Sequence, residues 1–179
     1  MNWFLPTRTL KSMVGSEGGT TGLDDSYAAR AFEGVGASIM GRNMFSPLRG
    51  PWANEDWKGW WGDTPPFKHP VFVLTHHPRP ALEFENGTSL HFVNGSPEEV
   101  LKQAHAAAGD KDVKINGGTA TVRAFWKARL LDELHLVMAP VFVGEGERLL
   151  GGLGVEEDYQ VAGFKASEAA VHYRIVKKG

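Results

Sequence analysis

Between residues 89 and 139 the chain alternates strand-like apolar runs with helix-like stripes, and this alternation limits the possible folds more than any other feature. Ser89–Val93 reads as a short strand. Ser96-Pro97-Glu98-Glu99 reads as a helix start: Ser96 can cap, Pro97 suits the first helical position, and Glu99 can complete a capping box. Val100, Leu101, Ala104, Ala107 and Ala108 then share one helical stripe, which Gly109 stops. Asp112–Asn116 reads as a strand with Val113 and Ile115 on one side. Gly117-Gly118 follows at once, and Thr119 opens a second helix whose buried stripe is Val122, Phe125, Trp126 and Leu130. Leu134–Val143 reads as a long strand with a bend at Pro140. Strand–helix–strand–helix–strand implies parallel pairing through crossover helices.

The flanks extend this pattern. Val35–Met40 and Val71–Leu74 are buried-strand runs, the second closed by Thr75-His76-His77-Pro78. Asp24-Asp25 offers a helix cap, with Tyr27, Ala28, Ala31 and Phe32 at helical spacing behind it. Val161–Lys165 and Val171–Val176 read as a closing antiparallel hairpin. Residues 1–23 are rich in Gly, Thr and Ser and read as an irregular arm, leaving 24–179 as one domain. The expected fold is α/β: a single mixed, mostly parallel sheet flanked by helices, with a C-terminal antiparallel hairpin.

Composition excludes several functions. Lys and Arg number 19 against 21 Asp and Glu, a formal charge of −2. Such a chain lacks the broad basic field that nucleic-acid binding uses. There is no cysteine, so disulfides, thiolate metal sites and cysteine nucleophiles are excluded. No run approaches the roughly 18 apolar residues that span a bilayer. No signal-like apolar run is read either, so a cytoplasmic location is expected. The seven histidines are scattered, and His76-His77 lie next to each other without metal-ligand spacing, so no metal site is expected. The dinucleotide fingerprint, the phosphate-binding lysine loop and the hydrolase serine elbow are all missing.

What remains is three strand ends with a common chemistry: Gly41-Arg42-Asn43, Thr75-His76, and Asn116-Gly117-Gly118-Thr119-Ala120. In open α/β sheets, ligands sit beyond the carboxyl ends of strands. Amides at a helix N-terminus bind phosphate oxygens, and glycines allow the close approach. Arg42 adds a cationic fork suited to phosphate. Thr75 adds a hydroxyl, and His76 a partial positive charge. Each corner alone reads as an ordinary turn. Together they suggest a phosphate-bearing cofactor along one sheet edge.

Four blocks carry a family likeness. They are Ile39-Met40-Gly41-Arg42-Asn43-Met44-Phe45; Pro70-Val71-Phe72-Val73-Leu74-Thr75-His76; Val113-Lys114-Ile115-Asn116-Gly117-Gly118; and Leu131-Asp132-Glu133-Leu134-His135-Leu136 running on to Ala139-Pro140-Val141-Phe142-Val143-Gly144. In this order they resemble the dihydrofolate reductase-like superfamily, more closely the reductase domain of bifunctional riboflavin biosynthesis deaminase-reductases and its stand-alone relatives, over about residues 24–178. The resemblance implies NADPH as hydride donor and a pyrimidine or pteridine ring as small-molecule substrate; a homodimer is also expected. The resemblance places Gly41, Arg42 and Asn43 at the cofactor phosphates, Thr75 and His76 by the adenosine 2′-phosphate, and Gly117, Gly118, Thr119 and Ala120 at the pyrophosphate, with Asn116 a further cofactor-binding candidate. Substrate contacts would come from Phe45 and from the loop of Gly144 and Glu147. The family's opening strand, which ends in Asp-Gly, has no counterpart before Trp3. The alternative reading is therefore a nucleotide- or pterin-binding homologue with little turnover.

Two features keep two readings each. Asp25 stands 16 residues before Gly41, where the resemblance implies an acid that assists protonation; it can equally cap the helix after it. Residues 46–70 carry Trp52, Trp57, Trp60 and Trp61. That segment can form a lid over a flat ring, or it can be a dimer surface or plain surface cap.

Overall fold

Ile39, Val71, Val73 and Leu90 are fully buried, and the strands that carry them lie side by side in a computed structural model describing residues 3–54 and 56–179. The chain divides into two units, 34–130 and, from both ends, 1–33 with 131–179.

The unit 34–130 holds β1 (Val35–Gly41), β2 (Pro70–Leu74), β3 (Leu82–Glu83), β4 (Ser89–Val93) and β5 (Asp112–Gly117) in the order β3-β4-β2-β1-β5. All pairs are parallel except β3 with β4. The crossover from β4 to β5 is α4 (Pro97–Ala108). Its capping box forms as the sequence implies, with Glu99 N–H donating to Ser96 Oγ and Ser96 N–H donating to the Glu99 carboxylate. Val100, Ala104 and Ala108 are its buried stripe. Gly109 ends it at φ +63°, a backbone angle that favours glycine. Short α3 (Arg42–Phe45) follows β1, and α5 (Thr119–Lys127) follows β5 and buries Phe125 and Trp126.

Met40, Phe45, Val71, Val73, Leu90 and Phe92 form one core cluster, and Trp52, Trp57 and Trp61 pack against it. The tryptophan segment is anchored by its indole donors: Trp52 Nε1 to the His77 carbonyl at 2.6 Å, and Trp57 Nε1 to the Phe45 carbonyl at 2.9 Å. It therefore caps the core of its unit, while Trp60 alone stands 57% exposed. On β5, Lys114 pairs in register with Ser38, and burial pushes its ammonium down to about 8. Ser38 Oγ lies 2.8 Å from His69 Nε2; burial and the charges of Lys114 and Lys111 lower that imidazole.

The other unit holds an antiparallel sheet of β6 (Glu133–Met138), β7 (Tyr159–Ala166) and β8 (Val171–Lys177), ordered β6-β8-β7. The α/β class, the mostly parallel sheet and the C-terminal hairpin are all present. The strand expected over 134–143 differs in two ways. It stops at Met138, because Pro140 has no N–H to donate to a ladder, and Phe142 is fully exposed. It also pairs with β8 of the hairpin, so the alternating pattern that ends at β5 does not extend to it. The edge strand β7 leaves Val161 and Phe164 58% and 67% exposed.

The expected irregular arm contains α1 (Arg8–Met13), capped by Thr7 Oγ1, which accepts from Leu10 N–H. The next helix, α2 (Leu23–Arg30), starts at Gly22. Asp24 and Asp25 thus stand inside its first turn, where carboxylates favour the helix dipole, and neither is the N-cap. Among the described residues, no helix is long and apolar enough to cross a membrane.

Candidate active site

Backbone register brings the three strand ends of the parallel sheet to one level. Gly41 pairs with Leu74 across β1 and β2, and Met40 pairs with Gly117 across β1 and β5. Arg42, Thr75 and Gly118 are thereby neighbouring exits from adjacent strands. Gly117 takes φ +113°, which excludes most side chains, and the Gly117–Gly118 peptide is cis. A Cβ on Gly41 would collide with Thr121 Oγ1 and lie 3.7 Å from Gly118 N. Glycine at 41 is what lets the start of α5 seat against the end of β1. No side chain caps α5, whose first turn follows directly on the Gly117-Gly118 corner.

Arg42 lies over Trp52, its guanidinium carbon 3.1 Å from the ring centroid. Its Nη1 donates to the Gly50 carbonyl and to Thr75 Oγ1, both at 3.4 Å. Burial lowers the guanidinium's affinity for its proton, yet an arginine keeps its charge at neutral pH. Arg42 Nε and Asn116 Nδ2 are buried without a hydrogen-bond partner. Arg79 stacks over Trp52 and Phe92 at 4.1 and 4.2 Å, and its Nη2 donates to the Trp57 carbonyl. A cavity of about 230 Å³ opens beside this stack, lined by Arg42, Ser46, Trp52, Asn54 and Trp57 among others.

The sequence-chosen residues fall into two groups. Gly41, Arg42, Thr75, Asn116, Gly117, Gly118, Thr119 and Ala120 gather at the sheet edge. Asn43 and His76 sit there too, exposed. Phe45 does not line an opening: it is fully buried, edge-on to Trp52 and Phe92, and belongs to the core. Gly144 and Glu147 lie in the exposed irregular stretch after β6. Asp25, in the other unit, is 4% exposed and accepts from Thr9 N–H and Thr9 Oγ1, each at 2.7 Å. Arg8 Nη2 is 3.2 Å from its second oxygen. The Thr9 hydrogen bonds, reinforced by Arg8, hold this carboxyl below its ordinary value against the opposing effect of burial. A proton donor at neutral pH needs the reverse, so the surroundings of Asp25 are those of a brace between α1 and α2.

Sequence reasoning missed Met44, Thr121 and Arg79. A Cβ on Gly117 would stand 3.8 Å from Met44 Sδ, so Met44 forms part of the wall. Thr121 sends no sequence signal, being an ordinary helix residue until Gly41 is set beneath it. Arg79 could have been suspected from the aromatic surplus of residues 52–61, since buried tryptophans often stack a guanidinium.

No curated protein matches the chain. Its fold is similar to that of a protein named for riboflavin biosynthesis from Shewanella sp. PV-4, with a TM-score of 0.65, 22% identity, and 94% and 88% of the two chains covered. It is also similar to a deaminase/5-amino-6-(5-phosphoribosylamino)uracil reductase from Thermotoga maritima, with a TM-score of 0.53 and 13% identity; 80% of this chain matches 46% of that one. A dihydrofolate reductase from Enterococcus faecalis complexed with NADP(H) matches at a TM-score of 0.53 and 17% identity, with 88% and 83% covered. At these identities the likeness shows a common fold. The RibD C-terminal domain profile matches residues 6–173, so the chain belongs to the RibD C-terminal domain family.

Proposed function

We propose that the chain is an NADPH-dependent reductase of a small heterocycle, an aminouracil or pterin of the kind met in riboflavin biosynthesis, like 5-amino-6-(5-phosphoribosylamino)uracil reductase. The observation that carries this reading is the common level of the exits at Gly41, Leu74 and Gly117. In this reading Gly41, Gly117 and Gly118, with the amides of Thr119 and Ala120, receive a pyrophosphate. Arg42, Thr75 and His76, with Asn43, take the 2′-phosphate that separates NADPH from NADH. The donor set fits an anion: Arg42 Nε and Asn116 Nδ2 are two donors still in want of an acceptor. NADPH would supply the hydride; the residues of the chain supply binding and orientation. A homodimer is part of this reading, supported by the apolar strip of Val161 and Phe164 on β7 and measurable by light scattering. So is a cytoplasmic location.

The test is a fluorescence titration with NADPH and NADH, followed by NADPH oxidation across aminouracils, pterins and flavins. Saturable NADPH binding, weaker NADH binding and turnover with one ring class are expected. No binding at millimolar NADPH removes the proposal. The second reading, a binding protein with little turnover, gains support from the way Asp25 is held ionised. It predicts cofactor binding with no oxidation across the panel.

A further inference from the structure

Two histidines that the cofactor shelf does not use meet inside the three-stranded sheet unit. His172 on β8 is completely buried. Its Nε2 lies 2.7 Å from Asp24 Oδ1, and its Nδ1 lies 3.0 Å from His135 Nε2 on β6. The two imidazole planes are nearly parallel, 10° apart, with ring centroids 5.2 Å apart. Tyr27 of α2 lies flat over both, at 4.3 Å from His172 and 4.8 Å from His135. Trp3 closes them edge-on. We propose that Asp24, His172 and His135 form a proton-sharing lock: the pair of imidazoles takes up one proton without losing a contact, and a second proton releases α2 from the sheet.

Hydrogen-bond direction fixes how this works. A carboxylate only accepts, so His172 donates from Nε2 to Asp24. That leaves a lone pair on His172 Nδ1, which must accept from His135 Nε2–H. Protonation of His135 lets its Nε2 proton pass to His172 Nδ1. The positive charge then rests on His172, against the Asp24 carboxylate, and His135 Nε2 becomes the acceptor. Both contacts survive, with the His–His bond reversed. A second proton puts N–H against N–H across the same 3.0 Å and leaves no lone pair between the rings. His172 cannot turn to water without displacing Tyr27, so relief requires the first turn of α2 to leave the sheet.

The charged surroundings within the unit are mixed. Asp24 and the Tyr27 hydroxyl come from α2. Arg174 pairs in register with His135, and Lys165 with His172. Glu133, on the same sheet face, is held by Arg174 Nε at 2.7 Å and by Arg30 Nη2 of α2 at 3.1 Å. Among the described residues the Asp24 carboxylate faces His172 directly, and Arg174 of β8 and Arg30 of α2 are both tied to Glu133.

The experiment is a titration of the full chain from pH 8 to pH 5 with ¹⁵N-labelled histidine, following both ring nitrogens and the Tyr27 ring signals. The expected result is one coupled step at His135 and His172 that accounts for a single proton. The Tyr27 signals hold through it and are lost only at a further, more acid step. His135→Gln keeps a partner for His172 but cannot pass a proton; in it the coupled step is lost and His172 titrates as one ring alone. Two independent one-proton steps in the parent, with Tyr27 unmoved throughout, overturn the proposal. So does the absence of any proton uptake at either ring. If His135→Gln fails to fold, the parent titration decides by itself.

Discussion

Replacing Lys114 by Met should stabilise the protein at neutral pH, and the size of the gain is set by burial. The Lys114 ammonium is pushed down to about 8 from its ordinary value of 10.5. At pH 7 it is charged in both the folded and unfolded states, so the folded state bears the full cost of holding a cation out of water. A gap of about 2.5 pH units, at about 1.36 kcal/mol each, makes that cost ~3 kcal/mol. The sign follows from proton binding. Between about 8 and 10.5 the unfolded chain holds the proton and the folded chain has lost it, so stability rises with pH across that window. Methionine carries no charge and a similar length, so Lys114→Met should be more stable than the parent by about 2–3 kcal/mol at pH 7. The difference should shrink steadily from pH 8 to pH 10.5. Urea unfolding of both proteins at pH 7, 8, 9 and 10 measures it, and the other groups that titrate there cancel between the two. A pH-independent gap, or a variant weaker than the parent at pH 7, would refute the reasoning. An internal check is His69, which Lys114 helps to lower; its imidazole should rise toward 6.5 in the variant.

Three further outcomes are expected. Asp25→Asn removes an ionised acceptor of two Thr9 hydrogen bonds and should cost about 1.5–3 kcal/mol at pH 7. Because this carboxyl is lowered, its contribution is present above the unfolded value near 3.8 and lost as pH falls through the lower folded value; thermal melts of both proteins should converge in acid. Gly41→Ala should destabilise by about 1–3 kcal/mol through the clash with Thr121 Oγ1, and Thr121→Ala in the same chain should recover most of it; additive effects in chemical denaturation would sink that account. Arg42→Ala should weaken NADPH binding by roughly 10- to 100-fold, the size of one charge-assisted contact, with a smaller effect on NADH; equal losses for both would show that Arg42 does not read the 2′-phosphate.

The parts of the fold that could be read from the sequence rest on local chemistry. The capping box at Ser96 and Glu99 and the Gly109 stop are decided within a single turn, and both formed where expected. The strands β1, β2, β4 and β5 declare themselves as short apolar runs between breakers. Partner choice is different. β6 looks like one more strand of the crossover series, but its partner β8 is about 40 residues away, and no periodicity records that pairing. The same distance hid the His135–His172 pair, which stand 37 positions apart and meet because the antiparallel register sets Val137 beside His172. Helix α1 went unread because its six residues, Arg8–Met13, bury nothing and show no stripe. The three strand ends were legible as chain breaks from glycine and polar spacing, and the sheet register sets them side by side. Phe45 was misplaced because an aromatic beside a turn looks the same in sequence whether it lines a pocket or plugs a core.

Asp24 and Asp25, adjacent on α2, reach in different directions: one to β8, the other to the backbone of α1. Neighbours on a helix diverge by about 100°, so the two acids act like a pair of dowels that fix both the rotation and the axial position of the rod. Length changes in the loop between Val14 and Gly22 should be absorbed there. A one-residue insertion just after Asp25 would instead turn both dowels by about 100° against the rest of the rod, so that the two acids and Tyr27 could not hold their partners together.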